Sequence, residues 1–332
     1  MRPRDVLELC VLALLWGSAY LFIRAAVFEF GPVPLIALRL GISALVLTPL
    51  LLVRDGLGAM RPGLRPLAVQ GVLFSALPFV LLAWASLSMS AGLTAILNAT
   101  APLFAALVAR AWLGQRIGPW RALGLAVGFS GVLVLVWGGV SFRAGGTGWA
   151  LVAMMVASFL WGVGGHYTRV RLGPMSPVAI SVGTLAASAL VLAPFAIAAW
   201  PERAPSARAW LEVAFLGVAS SGLGFLLYYR LVRNIGATRA TSVTFLNPPV
   251  ALISAALYLG EPITLQMLAG AAVILVGTGL SLGLIGPRGR AQAVAAVPVA
   301  AAPIDAAPVA AAAAVAAPDA PGPLAPGRRP PP

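Results

Sequence analysis

Charged side chains are scarce in this chain of 332 residues, of which Asp, Glu, Lys and Arg make up only 9%. A soluble domain carries about 25% charged residues, because its surface must face water. Hydrophobic residues account for 60% of the sequence, and the mean hydropathy is +0.96. The composition therefore excludes a water-soluble globular protein and indicates an integral membrane protein.

Lysine is absent, so all 22 basic residues are arginine, and the formal net charge is +13. The arginines stand between apolar runs and do not form the continuous basic face that binds nucleic acid, so no nucleic-acid partner is predicted. The single cysteine, Cys10, excludes an intramolecular disulfide framework and a cysteine-rich metal site.

Catalytic groups are equally rare. A membrane-embedded enzyme would need clustered His, Asp or Glu, and the chain has one histidine and nine acidic residues, so an enzyme is a remote alternative. The Gly-x-x-x-x-Gly-Lys loop that cradles ATP phosphates is missing. We predict no metal and no cofactor.

Long apolar runs dominate what the sequence does contain. When the sequence is divided at charged residues, proline and glycine, ten apolar runs of about 20 residues remain. Each is long enough to cross roughly 30 Å of hydrocarbon. They lie near residues 6–26, 33–53, 67–87, 92–112, 118–138, 148–168, 176–198, 210–230, 237–258 and 264–285. The sequence thus predicts an all-α integral membrane protein with ten transmembrane helices.

The arginines are unevenly distributed between the two sides of these spans. With the N-terminus inside, seventeen arginines fall in cytoplasmic segments, four fall in outer segments, and Arg39 lies within the second span. Basic residues concentrate on the cytoplasmic side of membrane proteins. We therefore predict an inner-membrane protein with both termini in the cytoplasm.

A repeated pattern divides the chain into two halves. Trp16-Gly17 and Arg24 recur 145 positions later as Trp161-Gly162 and Arg169. A shift of 146 relates Pro102, Leu113-Gly114, Gly124 and Gly131 to Pro248, Leu259-Gly260, Gly270 and Gly277. Five spans per copy is an odd number, so the copies, residues 1–140 and 147–286, are predicted to be inverted relative to each other, as in secondary transporters.

Residues 287–332 differ from the rest, because they consist mainly of Ala, Pro and Val. Recurring proline prevents a long helix, and this composition does not build a core. We predict a disordered cytoplasmic tail.

The ordered recurrence of these motifs resembles the EamA-type branch of the drug/metabolite transporter superfamily, over residues 6–285. The resemblance rests on the Trp-Gly pairs, the Arg39 region, Pro102 and Pro248, Leu-Gly-Gln115 and Leu-Gly-Glu261, and Gly124 and Gly270. It implies ten helices in two five-helix domains, and export of amino acids, related metabolites or drugs. The family pattern ends the fourth helix in Leu-Gly-Glu, so Gln115 departs from it.

Polar residues cluster beside prolines in the fourth and ninth spans. Proline frees a carbonyl one turn earlier, and interrupted helices near the bilayer midplane form transporter sites. The alternative is that the prolines kink packed helices, with Ser and Thr bonding their own backbone. The predicted substrate-binding residues of these spans are Asn98, Thr100, Pro102, Thr244, Asn247 and Pro248.

Four further residues are predicted to bind substrate. Trp16 and Trp161 lie near mid-span, away from the interfacial belt where Trp concentrates, and their rings and indole donors suit aromatic or amphipathic solutes. Core packing is the alternative. Ser75 and Ser221 are 146 positions apart and either line the path or permit close helix contact.

Three ionisable residues are candidates for a charge role. Arg39 costs at least about 2.5 kcal/mol in the membrane unless it faces water, a partner or the interface, and anion binding and snorkelling are both open. The second repeat has no charge at the equivalent position near Ser181. His166 suits proton coupling or an interfacial position. Glu261 begins a helix, as a structural cap or a coupling-ion site.

These features together predict a secondary transporter that exports small organic metabolites by alternating access. A lipid or lipid-carrier flippase of the same superfamily is the alternative. The expected partners are the metabolite and the lipid bilayer. Rows of glycine, which we call the glycine ridges, suit close helix packing, either within the chain or at the face of a homodimer. They are Gly124, Gly128 and Gly131 in the fifth span and Gly270, Gly277, Gly279 and Gly283 in the tenth.

Overall fold

The computed structural model describes residues 2–139, 141–143, 146–235 and 243–284, which are helices and short connections with no strand among them. The described helical segments are α1 (Pro3–Phe30), α2 (Pro32–Arg54), α3 (Leu57–Ala85), α4 (Ala91–Leu113), α5 (Pro119–Val136), α6 (Thr147–Arg171), α7 (Pro177–Ala198), α8 (207–235), α9 (Val243–Leu259) and α10 (Leu265–Ser281).

Within these ranges, eight helices are long and apolar enough to cross a membrane, and α9 and α10 are shorter apolar helices. The all-helical membrane protein is thus confirmed, whereas ten spans in two inverted repeats stay a prediction. The tail predicted for 287–332 lies outside the described residues.

The helix ends follow local sequence signals. Proline is the first residue of α1, α2, α5 and α7, where its missing N–H costs nothing. Ser90, Ser176 and Ser206 cap α4, α7 and α8 by accepting a backbone N–H with the side-chain oxygen. Gly114 ends α4 with φ of +66°, a conformation that favours glycine.

Three helices are irregular in their middle. The α3 helix contains a π turn at Gly71–Ala76, and α8 contains one at Phe215–Leu223, which covers the equivalent positions 146 residues later. The α4 helix is interrupted between Asn98 and Ala101. By contrast, α9 continues through Pro248 and Pro249. π turns often mark functional sites, so the region where these irregularities meet is the place to look for one.

The helices pack in an arrangement that nearly repeats itself. The α2 helix packs against α7, and α5 packs against α10, each pair joining a helix to its counterpart 145 or 146 residues away. The α1 helix packs against α9 as α6 packs against α4, and α3 packs against α6 as α8 packs against α1. Exchanging the two copies therefore leaves the main contacts unchanged, as a pseudo-twofold axis requires.

The glycine ridges meet inside the chain. A Cβ atom on Gly124 would meet the backbone of Ser281 and Gly277, and one on Gly131 would lie 2.8 Å from the backbone nitrogen of Ile274. Small residues let helix backbones approach closely in membranes. The ridges thus pack α5 against α10 inside one chain. They no longer argue for a homodimer, which stays a prediction.

Two serines establish how the copies align around Arg39. Ser43 donates its hydroxyl to the carbonyls of Arg39 (2.6 Å) and Gly217 (3.2 Å). Ser188 donates in the same way to Thr184 (2.6 Å) and Gly71 (2.9 Å). Arg39 therefore corresponds to Thr184, three residues along α7 from Ser181, near which the sequence analysis placed the counterpart.

Candidate functional site: a cavity between the two halves

A cavity lies in the centre of the helix assembly, bordered by both halves of the chain. Its volume is about 90 Å³, several times the ~10–15 Å³ that one water molecule needs. Its lining includes both π turns and the α4 interruption. Seven predicted substrate-binding residues line it: Trp16, Ser75, Asn98, Trp161, Ser221, Thr244 and Asn247.

The two tryptophans form equivalent halves of the cavity wall. The indole Nε1–H of Trp16 donates to the carbonyl of Ser220, and that of Trp161 donates to the carbonyl of Phe74, both at 3.0 Å. The two acceptors lie in the π turns and are 146 positions apart. The indole donors are thus occupied by the protein, and the rings provide the wall.

Each tryptophan also packs edge-on against a phenylalanine of the lining. Trp16 and Phe225 have ring centroids 6.1 Å apart at 72°, and Trp161 and Phe79 have centroids 5.5 Å apart at 71°. Phe79 and Phe225 are again 146 positions apart. These pairs stabilise the wall beyond simple area burial, so the cavity has an aromatic frame made of two equivalent ring pairs.

Four buried polar atoms of the lining have no hydrogen-bond partner among the described residues: Arg39 Nη1, Asn98 Oδ1, Ser220 Oγ and Asn247 Oδ1. The other end of the Asn98 amide donates to the Tyr20 hydroxyl at 2.5 Å. A buried polar group without a partner costs about 1–3 kcal/mol, and such groups in proteins usually bond water or a ligand. The cavity is therefore equipped to hold a polar solute.

Arg39 is the charged member of this group. Its Nε donates to Ser221 Oγ at 3.3 Å, and its guanidinium carbon lies 4.4 Å from the centroid of the Phe79 ring. The residue is 6% exposed and lines the cavity, so it does not snorkel to the interface. A cation over an aromatic face is attracted by the ring quadrupole, which holds the guanidinium in place.

The other predicted residues lie elsewhere. Thr100 bonds its own helix, donating to the carbonyl of Leu97 at 2.6 Å, and Pro102 and Pro248 are not among the lining residues. His166 is buried and does not line the cavity, with Nε2 2.9 Å from the carbonyl of Ala105. That contact makes it an internal residue of the helix assembly, and its role in proton coupling or at the interface stays a prediction.

Glu261 is a cap, but of a different helix from the one expected. Its Oε1 and Oε2 accept from the backbone N–H of Ala91 at 3.2 and 2.9 Å, at the start of α4. Its Oε1 also lies 3.6 Å from Arg24 Nε. The α10 helix that follows Glu261 is capped by Thr264. Glu261 thus connects the two halves of the chain, with α1 and α4 on one side and the α9–α10 connection on the other.

Five aromatic or hydroxyl residues of the lining were not predicted: Tyr20, Phe74, Phe79, Ser220 and Phe225. Two features of the sequence could have indicated some of them. Tyr20 follows Trp16 by four residues and therefore shares its helix face, and Phe79 and Phe225 obey the repeat shift. Ser220 and Phe74 contribute through the π turns, which the sequence does not reveal.

Removing one indole donor tests whether the two Trp–carbonyl hydrogen bonds stabilise the protein equally. Trp161→Phe keeps a ring but leaves the Phe74 carbonyl unpaired, so we expect destabilisation by about 1 kcal/mol. The melting temperature of the purified protein should fall by about 2–4 °C. Trp16→Phe should have a similar effect through Ser220. The exposed Trp120 provides the control Trp120→Phe, and equal melting temperatures for all three variants would contradict the assignment.

Comparison with known proteins places the chain in a family. The model of the EamA-like transporter family matches it twice, over residues 6–137 and 148–283. The chain therefore belongs to the EamA-like transporter family, whose members are transporters of the drug/metabolite type. The multi-pass membrane fold follows both from this membership and from the apolar helices described above.

Individual relatives agree with this assignment. The uncharacterized inner membrane transporter YedA of Escherichia coli K12 is 30% identical over 263 residues, covering 76% of this chain and 83% of the relative. A probable terminal-alkyne amino-acid exporter of Streptantibioticus cattleyicolor is 29% identical over 274 residues, covering 81% and 90%. A solved crystal structure with 20% identity superposes with a TM-score of 0.60, covering 86% of this chain and 98% of that one, so the fold is shared.

Proposed function

We propose that this chain is a secondary transporter of the inner membrane that exports small organic metabolites, amino acids or related compounds, by alternating access. The observation that carries the proposal is the central cavity, which both halves line and whose aromatic walls hold four buried polar atoms without a hydrogen-bond partner in the described part of the chain. A cavity volume of about 90 Å³, several times the ~10–15 Å³ that one water molecule needs, suits a small solute. The amino-acid exporter among the relatives supports the same class.

We further propose ten spans in two inverted repeats, residues 1–140 and 147–286, with both termini in the cytoplasm. The reciprocal helix contacts and the paired Trp–carbonyl bonds support a twofold relation between the halves. The family model also matches each half separately. The excess of arginine in the segments assigned to the cytoplasm supports the orientation.

Polar contacts at the two ends of the assembly provide the gates that alternating access needs. At the proposed cytoplasmic end, Glu8 Oε1 of α1 lies 3.3 Å from Arg230 Nε of α8. At the proposed outer end, Glu261 joins Arg24 and the start of α4. Transporters of this architecture rock one repeat against the other around a fixed site. Opening to one side would break the contacts at that end and keep those at the other.

Transport by cavity variants tests the proposal. In proteoliposomes loaded with a panel of radiolabelled amino acids and other metabolites, with and without a pH gradient, the wild-type protein should move at least one solute. Asn98→Ala, Thr244→Ala and Trp161→Ala should each lower that rate about tenfold, since each removes one contact worth about 1.4 kcal/mol.

The controls are one hydroxyl residue and one tryptophan outside the cavity. Ser130 bonds its own helix on an exposed face, and Trp137 is 79% exposed, so Ser130→Ala and Trp137→Ala should transport at the wild-type rate. Unchanged transport by all three cavity variants would refute the central site. Scrambling of fluorescent phospholipids without movement of any soluble solute would instead favour the flippase.

A further inference from the structure

We propose that Arg39 binds the carboxylate of the transported solute, so that the substrates are carboxylic acids that also carry a hydrogen-bond-donating group, as amino acids do. This inference rests on the proposed function, because it names the substrate class of the same cavity. Its basis is an asymmetry of charge in an otherwise twofold site.

The first step is the charge of the cavity. Arg39 is the only ionisable lining residue with a charge at neutral pH, and no Asp or Glu is among the lining residues of the described chain. A guanidinium does not lose its proton in proteins. The cavity therefore has an uncompensated positive charge in surroundings where water is limited. An anionic group entering it removes that imbalance, whereas an amine without a carboxylate adds to it.

The second step is the state of the guanidinium. Ser221 accepts from Nε, and the Phe79 ring supports the face of the group, while Nη1 has no partner among the described residues. The donor is therefore held in position before any solute arrives. Arginine binds carboxylates through parallel N–H···O bonds that are about twice as strong as neutral hydrogen bonds. A primary carboxamide has a weaker, neutral acceptor and an additional donor, so it fits this group less well.

The third step is the polarity of two amide oxygens that have no hydrogen-bond partner among the described residues. Asn98 Oδ1 and Asn247 Oδ1 are acceptors on α4 and α9, and both residues line the same cavity. An ammonium or hydroxyl group on the solute would donate to them. A solute with one carboxylate and one donor group can therefore satisfy both kinds of unpaired atom, which a simple amine or a hydrocarbon cannot do.

The asymmetry lies in the counterpart of Arg39. The serine contacts described above align Arg39 with Thr184, which is neutral and does not line the cavity. The aromatic frame is duplicated, but the charge is present once. The carboxylate end of the solute is therefore fixed to the side of α2, and the solute binds in one orientation.

Equilibrium binding to the full-length protein in lipid nanodiscs tests this inference separately from transport. The probes are the twenty standard L-amino acids, each paired with its α-carboxamide. We expect at least one acid to bind about tenfold more tightly than its carboxamide, as one charge-assisted hydrogen bond of ~1.4 kcal/mol predicts. In Arg39→Gln, acid and carboxamide should bind within about twofold of each other, and Arg39→Lys should retain part of the preference.

Arg61→Gln is the matched control, because Arg61 is exposed and is not among the lining residues, and it should keep the wild-type preference. The comparison of acid and carboxamide in the wild-type protein needs no variant, so misfolding of Arg39→Gln does not affect it. Equal binding of acids and carboxamides, or binding of neither, would overturn the inference. Transport of a solute without a carboxylate would overturn it while leaving the transporter function intact.

Discussion

Replacing Gly277 by Leu should nearly abolish the folded protein. A Cβ atom at this position would overlap the backbone of Gly128 and lie 2.7 Å from the carbonyl oxygen of Gly124. Backbone atoms cannot move aside by changing a rotamer, so α10 must separate from α5 along their shared contact. We expect a loss of about 3 kcal/mol or more, at the upper end of the range for overpacking, seen as a collapse of the monodisperse peak in size-exclusion chromatography.

The same substitution in an open place is the control. A Cβ atom on Gly58 meets nothing within 4 Å, so Gly58→Leu should leave the yield and the melting temperature nearly unchanged. If Gly277→Leu were as well folded as Gly58→Leu, the direct contact of α5 with α10 would have to be abandoned.

Replacing Glu261 by Ala is the second change with a large expected effect. It removes both acceptors of the Ala91 N–H and the ion-pair partner of Arg24. The pair is partly exposed and 3.6 Å long, so its own contribution is small, and most of the loss comes from the charged helix cap. We expect about 2 kcal/mol of destabilisation, measured as a lower melting temperature.

One further variant distinguishes the hydrogen bond of the cap from the negative charge, and another serves as the control. Glu261→Gln keeps an acceptor for Ala91 and should recover about half of the loss. Glu202 is exposed, so Glu202→Ala removes a carboxylate from the same side of the protein and should change little. A melting temperature of Glu261→Ala equal to that of Glu202→Ala would refute the cap between the two halves.

The sequence predicted the helices well because each is a long apolar run. The run near 6–26 became α1 over Pro3–Phe30, and the run near 176–198 became α7 over Pro177–Ala198. The limits differ by a few residues because helix ends depend on caps such as Ser176, and not only on hydrophobicity. The sequence also contains the alignment of Arg39 with Thr184, because the run Ser-Ala-Leu-Val-Leu at 43–47 recurs 145 positions later at 188–192, and the hydrogen bonds of Ser43 and Ser188 agree with it.

The cavity was only partly predictable. Asn98, Thr244 and Asn247 stood out because polar residues are rare in apolar spans. Phe79 and Phe225 did not, because an aromatic residue in such a span is ordinary. The contact of Glu261 with Ala91 joins residues 170 positions apart, and no local pattern indicates a partner at that distance.

The reciprocal bonds of Trp16 and Trp161 affect how such a chain can arise. Each half supplies the indole that the π turn of the other half needs, so neither half contains a complete set of partners. In the inverted topology proposed above, a precursor of half this length would have to find its missing partner in a second copy facing the opposite way across the bilayer. It would have to insert in both directions in comparable amounts. Fusion of the two copies removes that requirement, because one arginine pattern then orients both at once, and each copy becomes free to acquire a residue, such as Arg39, that the other lacks.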